Sequence, residues 1–193
     1  DPPAPDADAE YAAEVHLALS TVRPQLAGPH VVQLSRPLTE AQADDLPVHK
    51  AYLLSCVNGR LEDTVQAADV VRGKKIADGV ELYLAAASAE IEADARANGS
   101  WQDLLDAGAT ALPPGCGACI GLGAGLLDEN QVGISATNRN FKGRMGHATS
   151  RAFLASPAVV AASALAGKVT GPVDLPDGAP EYDFKDNGLV QEA

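Results

Sequence analysis

Two of the chain's three cysteines, Cys116 and Cys119, form a C-x-x-C pair within the stretch from Pro113 to Gly123, Pro-Pro-Gly-Cys-Gly-Ala-Cys-Ile-Gly-Leu-Gly. The third, Cys56, ends an apolar run in Leu53-Leu54-Ser55-Cys56-Val57-Asn58-Gly59-Arg60. Glycines around the pair let the backbone take positive φ and approach a bulky inorganic group. Three soft sulfur donors admit zinc, a disulfide with one free thiol, or an iron–sulfur cluster. Structural zinc wants four protein ligands, and no histidine lies close in sequence, although a fold could deliver His147 or another. On a [4Fe–4S] cluster, three thiolates leave one iron without a protein ligand, open as a Lewis acid to a hydroxyl or a carboxylate. C-x-x-C pairs have several uses, and inert, reduced cysteines are the plain alternative.

A second chemical stretch is Asn138-Arg139-Asn140-Phe141-Lys142-Gly143-Arg144. The planar forks of Arg139 and Arg144 suit bidentate capture of carboxylates. On residue type alone, a solvated surface role is the commoner one. The segment stands out because the chain carries 26 acidic against 14 basic side chains, a net charge of −12. His147 lies in a polar turn and reads as a lone surface histidine, and His16, His30 and His49 show no partners in the sequence. Gly121, Gly123 and Gly125 lack both a P-loop lysine and the spacing of a dinucleotide fingerprint, so they read as packing beside the cysteine loop.

These segments together resemble the aconitase superfamily. Ser55-Cys56-Val57-Asn58-Gly59-Arg60-Leu61-Glu62-Asp63 is similar to its Ser-Cys-Thr-Asn-Ser-Arg-x-x-Asp signature, and Pro114 to Cys119 to its Pro-Gly-Cys-x-x-Cys. Thr137 to Arg144 resembles its Asn-Arg-Asn-Phe-x-Gly-Arg segment, and Ser156-Pro157 before an alanine-rich helix matches the next landmark. Ala18 to Pro29 is a partial match to a further segment and lacks its acidic residue. The stretches Ala85–Ser88, Leu104–Ala109 and Gly133–Thr137 carry a finer resemblance to one fungal branch. That branch isomerises a hydroxy-tricarboxylate by dehydration and rehydration in lysine biosynthesis by the aminoadipate route.

The resemblance implies a [4Fe–4S] cluster on Cys56, Cys116 and Cys119 with one iron lacking a protein ligand, expected to be lost in an aerobic preparation. It implies that Arg139 and Arg144 bind substrate carboxylates, with Asn138 near the substrate or the cluster. Asn58 and Arg60 cap and brace the cluster loop. The family's threonine and second serine are Val57 and Gly59 here, a departure that removes a hydroxyl near the cluster. The match covers roughly residues 10 to 167, the third of the family's four domains. The family's catalytic serine and histidine–aspartate pairs belong to other domains, so no catalytic residue is assignable in this chain. Its expected partners are a tricarboxylate substrate and the enzyme's remaining domains. A mitochondrial location follows for the fungal branch and a cytoplasmic one otherwise. Branches acting on aconitate or isopropylmalate share these motifs, and a non-catalytic metal- or cluster-binding module is the rival from another class.

The elements that must position these residues follow from patterning. At 193 residues, 46% hydrophobic and 4% aromatic, the chain can bury a core rich in alanine, leucine and valine. Its acidic balance argues against nucleic acid and anionic membranes, and no apolar run is long enough to span a bilayer. The N-terminus shows no signal or transit pattern. Residues 1–9 read as a linking or disordered segment, 10–167 as the cluster-binding domain, and 168–193 as a tail or interdomain linker. Strands are expected at Lys50–Val57, Gly79–Ala87, Ala109–Leu112 and Gln131–Ala136, and an extended segment at Tyr11–Leu19. Helices are expected at Leu38–Asp45, Leu61–Val71 capped by Asn58, Ser88 to about Asn98, Trp101–Ala107 capped by Ser100, and Ala158–Ala166 between Ser156-Pro157 and Gly167. Residues 22–28 should be irregular. Strands alternating with helices predict a three-layer α/β/α sandwich with a mostly parallel sheet, its ligand loops at the strand C-termini.

Overall fold

The computed structural model describes residues 3–172 and the backbone of Tyr182–Asp186. The chain divides into two compact units, residues 1–23 with 177–193, and residues 24–176. In the first, β1 (Ala13–Leu17) pairs antiparallel with Tyr182–Asp186, Val15 opposite Phe184. Most of the tail expected after residue 167 lies outside the described residues.

The second unit holds a seven-stranded sheet. In chain order its strands are β2 (Gln25–Ala27), β3 (Ser35–Pro37), β4 (Lys50–Leu53), β5 (Glu81–Leu84), β6 (Thr110–Ala111), β7 (Val132–Ser135) and β8 (Arg151–Leu154). Across the sheet the order is β3-β2-β8-β7-β4-β5-β6. The pairs from β8 to β6 are parallel, and β2 joins β8 and β3 antiparallel. This is the α/β class with a mostly parallel sheet that the alternation of patterns predicts. β2 occupies a stretch expected to be irregular. Proline and glycine flank it because it is short and lies next to the edge, and Pro37 sits in the edge strand β3, where a missing N–H costs no ladder bond.

Five helices pack on one face: α1 (Leu38–Gln42), α2 (Leu61–Val71), α3 (Ala89–Ala97), α4 (Ser100–Ala107) and α5 (Pro157–Ala166). Ala51 and Leu53 of β4, Leu82 and Leu84 of β5 and Ile134 of β7 meet side chains of these helices in the main core. Strand alternation sends Tyr52, Tyr83 and Ala152 to the opposite face, into a smaller cluster with Ala118, Cys119, Leu127 and Met145. That face is covered, among the described residues, by loops and a 3-10 turn at Gly117–Ile120.

Helix ends follow local chemistry. Ser88 Oγ accepts the Ile91 N–H and starts α3, and Pro157 opens α5, which ends at Gly167 with φ 74°. Two caps differ from expectation. α2 is not capped by Asn58, whose N–H instead donates to Ser55 Oγ at 3.1 Å. Asp63 Oδ2 instead reaches back to accept the Arg60 N–H at 3.2 Å, as an N3 side chain does in a capping box. Desolvation raises the Asp63 pKa, against the lowering effect of that hydrogen bond. Ser100 is the first residue of α4 rather than its cap. Asn98 Oδ1 accepts its N–H at 2.9 Å, and its hydroxyl donates to Ala95 O.

Candidate functional site

The exits of the parallel strands run in step. Ala85 N–H donates to Leu53 O, Leu112 N–H to Leu84 O, and Ala136 N–H to Tyr52 O. The loops after β4, β6 and β7 therefore leave from one edge of the sheet. They carry Cys56, the C-x-x-C pair and the Asn138–Arg144 segment respectively.

After β4, the chain turns sharply at Ser55, whose φ is 118°. The buried Ser55 hydroxyl accepts the N–H groups of Val57 at 3.3 Å and Asn58 at 3.1 Å. Gly59 is packed so tightly that a Cβ would lie 2.6 Å from Ser55 O and 2.9 Å from Ala85 O. Glycine in place of the family's serine is thus a packing feature of this chain, tying the cysteine loop to the end of β5 through Ala87 N–H to Gly59 O. Cys56 and Val57 are left exposed.

After β6, the Cys119 N–H returns to Cys116 O at 2.9 Å, closing the turn. Cys116 is exposed and Cys119 buried, and neither they nor Cys56 form a disulfide. Cys119 Sγ lies 3.9 Å from Asn138 Oδ1, so the structure brings together a predicted ligand and a predicted substrate neighbour. Gly121, with φ 77°, lets the loop pass close to the next one, since a Cβ would sit 2.9 Å from Arg144 O. A cavity of about 330 Å³ opens between Leu112–Gly117 and Leu122–Ala124, with Cys116 on its wall.

Arg139 is exposed and donates to its neighbour's carbonyl, Asn138 O, at 2.7 Å. Arg144 is half-buried, and its Nε is buried with no partner among the described residues. An unsatisfied cationic donor is costly to bury, so it is a ready site for an anion. His147 is exposed and its Nδ1 accepts the Thr149 N–H at 3.2 Å, which puts the proton of the neutral ring on Nε2.

Sequence reasoning missed the groups that brace these loops. Lys50 opens β4 yet is only 5% exposed. Its Nζ donates to Leu126 O at 2.6 Å and to Asp128 at 3.0 Å. Tyr52 OH donates to Gly125 O at 2.7 Å, and its ring stacks on Tyr83 at 5.8 Å between centroids. Burial pushes the Tyr52 pKa up, and burial with a hydrogen bond to Glu81 pushes that of Tyr83 up to about 12. His49 Nδ1 accepts the Val132 N–H at 3.1 Å, joining β4 and β7 at their start. The trace of this in the sequence was Lys50 and Tyr52 alternating with apolar Ala51 and Leu53.

Among the described residues, no three His, Cys, Asp or Glu side chains converge closely enough to hold a single metal ion. The three cysteines therefore do not make a preassembled mononuclear site. The donor set, three free thiols on loops leaving one sheet edge with one of them beside the Asn138 amide, is of the kind that a sulfur-ligated cluster uses. No helix among the described residues is long and apolar enough to cross a membrane.

The model of the aconitase family (aconitate hydratase) matches residues 3–167. A mitochondrial homoaconitase of Mycosarcoma maydis is 55% identical over 171 residues, covering 89% of this chain and 23% of that protein. Those of Debaryomyces hansenii and Cryptococcus neoformans are 54% identical over 170 residues and 52% identical over 189. They cover 88% and 97% of this chain, and 25% and 26% of those proteins. The chain thus spans about a quarter of the length of the curated relatives it matches.

Proposed function

The chain belongs to the aconitase family, and from that premise we propose that residues 10–167 are the cluster-binding part of a homoaconitase-type hydro-lyase. The whole enzyme would isomerise a hydroxy-tricarboxylate by removing and re-adding water, in lysine biosynthesis by the aminoadipate route and, as its relatives' names suggest, in mitochondria. Cys56, Cys116 and Cys119 would hold a [4Fe–4S] cluster. When bound, that cluster supplies Lewis acidity at an iron without a protein ligand.

This chain's own residues then orient rather than transfer protons. Arg144, with its unpaired Nε, and Arg139 hold substrate carboxylates through charge-assisted hydrogen bonds. Asn138, whose Oδ1 lies 3.9 Å from Cys119 Sγ, sits at the boundary between substrate and sulfur ligands. The Ser55 turn and the Gly121 crossing hold the loops in place. No base is assigned here. His147 Nδ1 accepts the Thr149 N–H, lies 2.9 Å from the Thr149 hydroxyl, and faces solvent, which supports placing the proton acceptor in the enzyme's remaining domains.

The observation that carries this reading is that all three family motifs lie on loops leaving one sheet edge, with Cys119 Sγ 3.9 Å from Asn138 Oδ1 and Arg144 Nε buried without a partner among the described residues. Anaerobic reconstitution of the full-length polypeptide with iron and sulfide tests it. About four irons per chain and a sulfide-to-iron charge-transfer absorption are expected, both greatly reduced by Cys56→Ser, Cys116→Ser or Cys119→Ser. Full iron loading in all three variants would reject the ligand assignment.

A further inference from the structure

Asn140 stands between the two arginines but faces the protein rather than the site. It is fully buried. Its Nδ2 donates to Ala27 O at 3.3 Å and to Ala152 O at 3.2 Å, one carbonyl at the end of β2 and one in β8. These acceptors fix the orientation of the amide, because the flipped form would put oxygen against both carbonyls. Oδ1 is left buried with no partner among the described residues.

The two strands need this bridge. β2 meets β8 through the single pair Ala27 and Leu154, and the Asn140 amide spans the carbonyls beyond it. The same segment is held again by an isolated parallel bridge between His30 and Phe141. Gly28 is cut to fit the amide. Its φ is 114°, and a Cβ there would lie 2.3 Å from Asn140 Nδ2 and 3.0 Å from Ala152 O. Arg139 and Arg144 thus hang from a segment anchored on the antiparallel side of the sheet, while the cysteine loops hang from the parallel side.

We infer that Asn140, locked by Gly28, is a positioning residue for substrate recognition: it sets where Arg139 and Arg144 present their guanidinium groups, without contributing to cluster ligation. The inference rests on the carboxylate-binding reading of those arginines. It predicts that damage to this anchor weakens substrate binding and leaves the cluster alone.

The test uses the full-length polypeptide at matched iron content, assayed well below each variant's melting temperature. Asn140→Ala should raise the tricarboxylate KM about ten- to hundredfold, the scale set by misplacing a binding group, with kcat changed less and iron loading unchanged. Amides of residues 139–146 should exchange faster with solvent. Gly28→Ala should act in the same direction, and the double variant should be no worse than the worse single one, because both break one lock. Asn140→Ser, polar but too short to span both carbonyls, carries the test if the alanine variant does not fold. Leu104→Ala, in the helical core, should lower the melting temperature while leaving KM within about twofold. If Arg144→Lys raises KM and the Asn140 variants do not, the positioning role is wrong and the arginine reading stands. If Arg144→Lys also leaves KM unchanged, both fall. A KM rise in Leu104→Ala equal to that of Asn140→Ala would reduce Asn140 to general stability and overturn the inference, and additive single effects would overturn the Gly28 lock.

Discussion

The two faces of one sheet are built by different means. The helical face is sealed by apolar packing: Trp101, Leu104, Val160 and Phe153 are at most 2% exposed, α3 starts on the Ser88 cap, and α5 runs from Pro157 to a left-handed Gly167. The loop face is held by polar stitches: the Ser55 hydroxyl, Lys50 on Leu126 and Asp128, Tyr52 on Gly125, and Asn140 between two carbonyls. Both faces carry buried polar atoms with no partner among the described residues, Trp101 Nε1 on the helical face and Arg144 Nε and Asn140 Oδ1 on the loop face, so the difference lies in the number of polar stitches. A face that only stabilises can be closed with alanine and leucine. A face that must present thiols and guanidinium groups needs loops, and each buried loop carbonyl or N–H then needs its own partner.

The contrast makes graded predictions. The largest concerns the helical face. Trp101→Ala removes a fully buried ring, over which Arg96 lies at 5.2 Å, and should cost about 3–5 kcal/mol in denaturant unfolding. Once folded at low temperature, the variant should load iron as the parent does. Next is Gly59→Ala on the loop face. A backbone oxygen 2.6 Å from the new Cβ must move, which should cost about 1–3 kcal/mol and also reduce iron loading, because Cys56 lies on the displaced loop. Equal iron loss in both variants would dissolve the distinction between the faces.

Sequence and structure agree best where these means are simplest. Alternation in Val80–Leu84, the Ser88 cap and the Ser156-Pro157 to Gly167 frame each rest on one local rule, and the elements appear where those rules put them. The three candidate segments stand out in the sequence because ligand chemistry restricts residue type, and the structure puts them on loops from one sheet edge. The bracing does not stand out. Lys50 looks like a solvent-facing strand start, and only the loop at Leu126 and Asp128, far along the chain, gives its ammonium partners. β8 begins with Arg151 and is too short to show a pattern. β2 is hidden between Pro24 and Pro29, and Asn140, which donates to Ala27 O, lies more than a hundred residues away in the chain. The strands also end earlier than their apolar runs, because Leu54 and Ala85 to Ala87 go on into buried loops rather than ladder.

Two smaller effects sharpen the comparison. Ser88→Ala removes the N-cap of α3 and should cost about 1 kcal/mol in thermal or chemical unfolding, without changing iron loading. The loop face should instead show a pH signature. Tyr83, normally near 10 and raised to about 12 here, holds its proton more tightly folded than unfolded. Its contribution is complete below pH 10 and is lost as pH rises from 10 towards 12, and Tyr52 acts in the same sense. Stability measured across that range should fall less steeply in Tyr83→Phe than in the parent. An unchanged slope would mean the buried tyrosines do not support the loops in this way.

The central claim is that one sheet edge joins sulfur ligation to carboxylate recognition. The most direct measurement is the electron paramagnetic resonance spectrum of the reconstituted, reduced full-length protein, with and without the hydroxy-tricarboxylate, for the parent and Arg144→Lys at equal iron content. The account predicts that substrate alters the parent's spectrum. In Arg144→Lys the substrate-free spectrum should be unchanged, and about ten- to hundredfold more substrate should be needed for the same alteration, the scale of one lost charged hydrogen bond. A substrate response identical in the two proteins would contradict it.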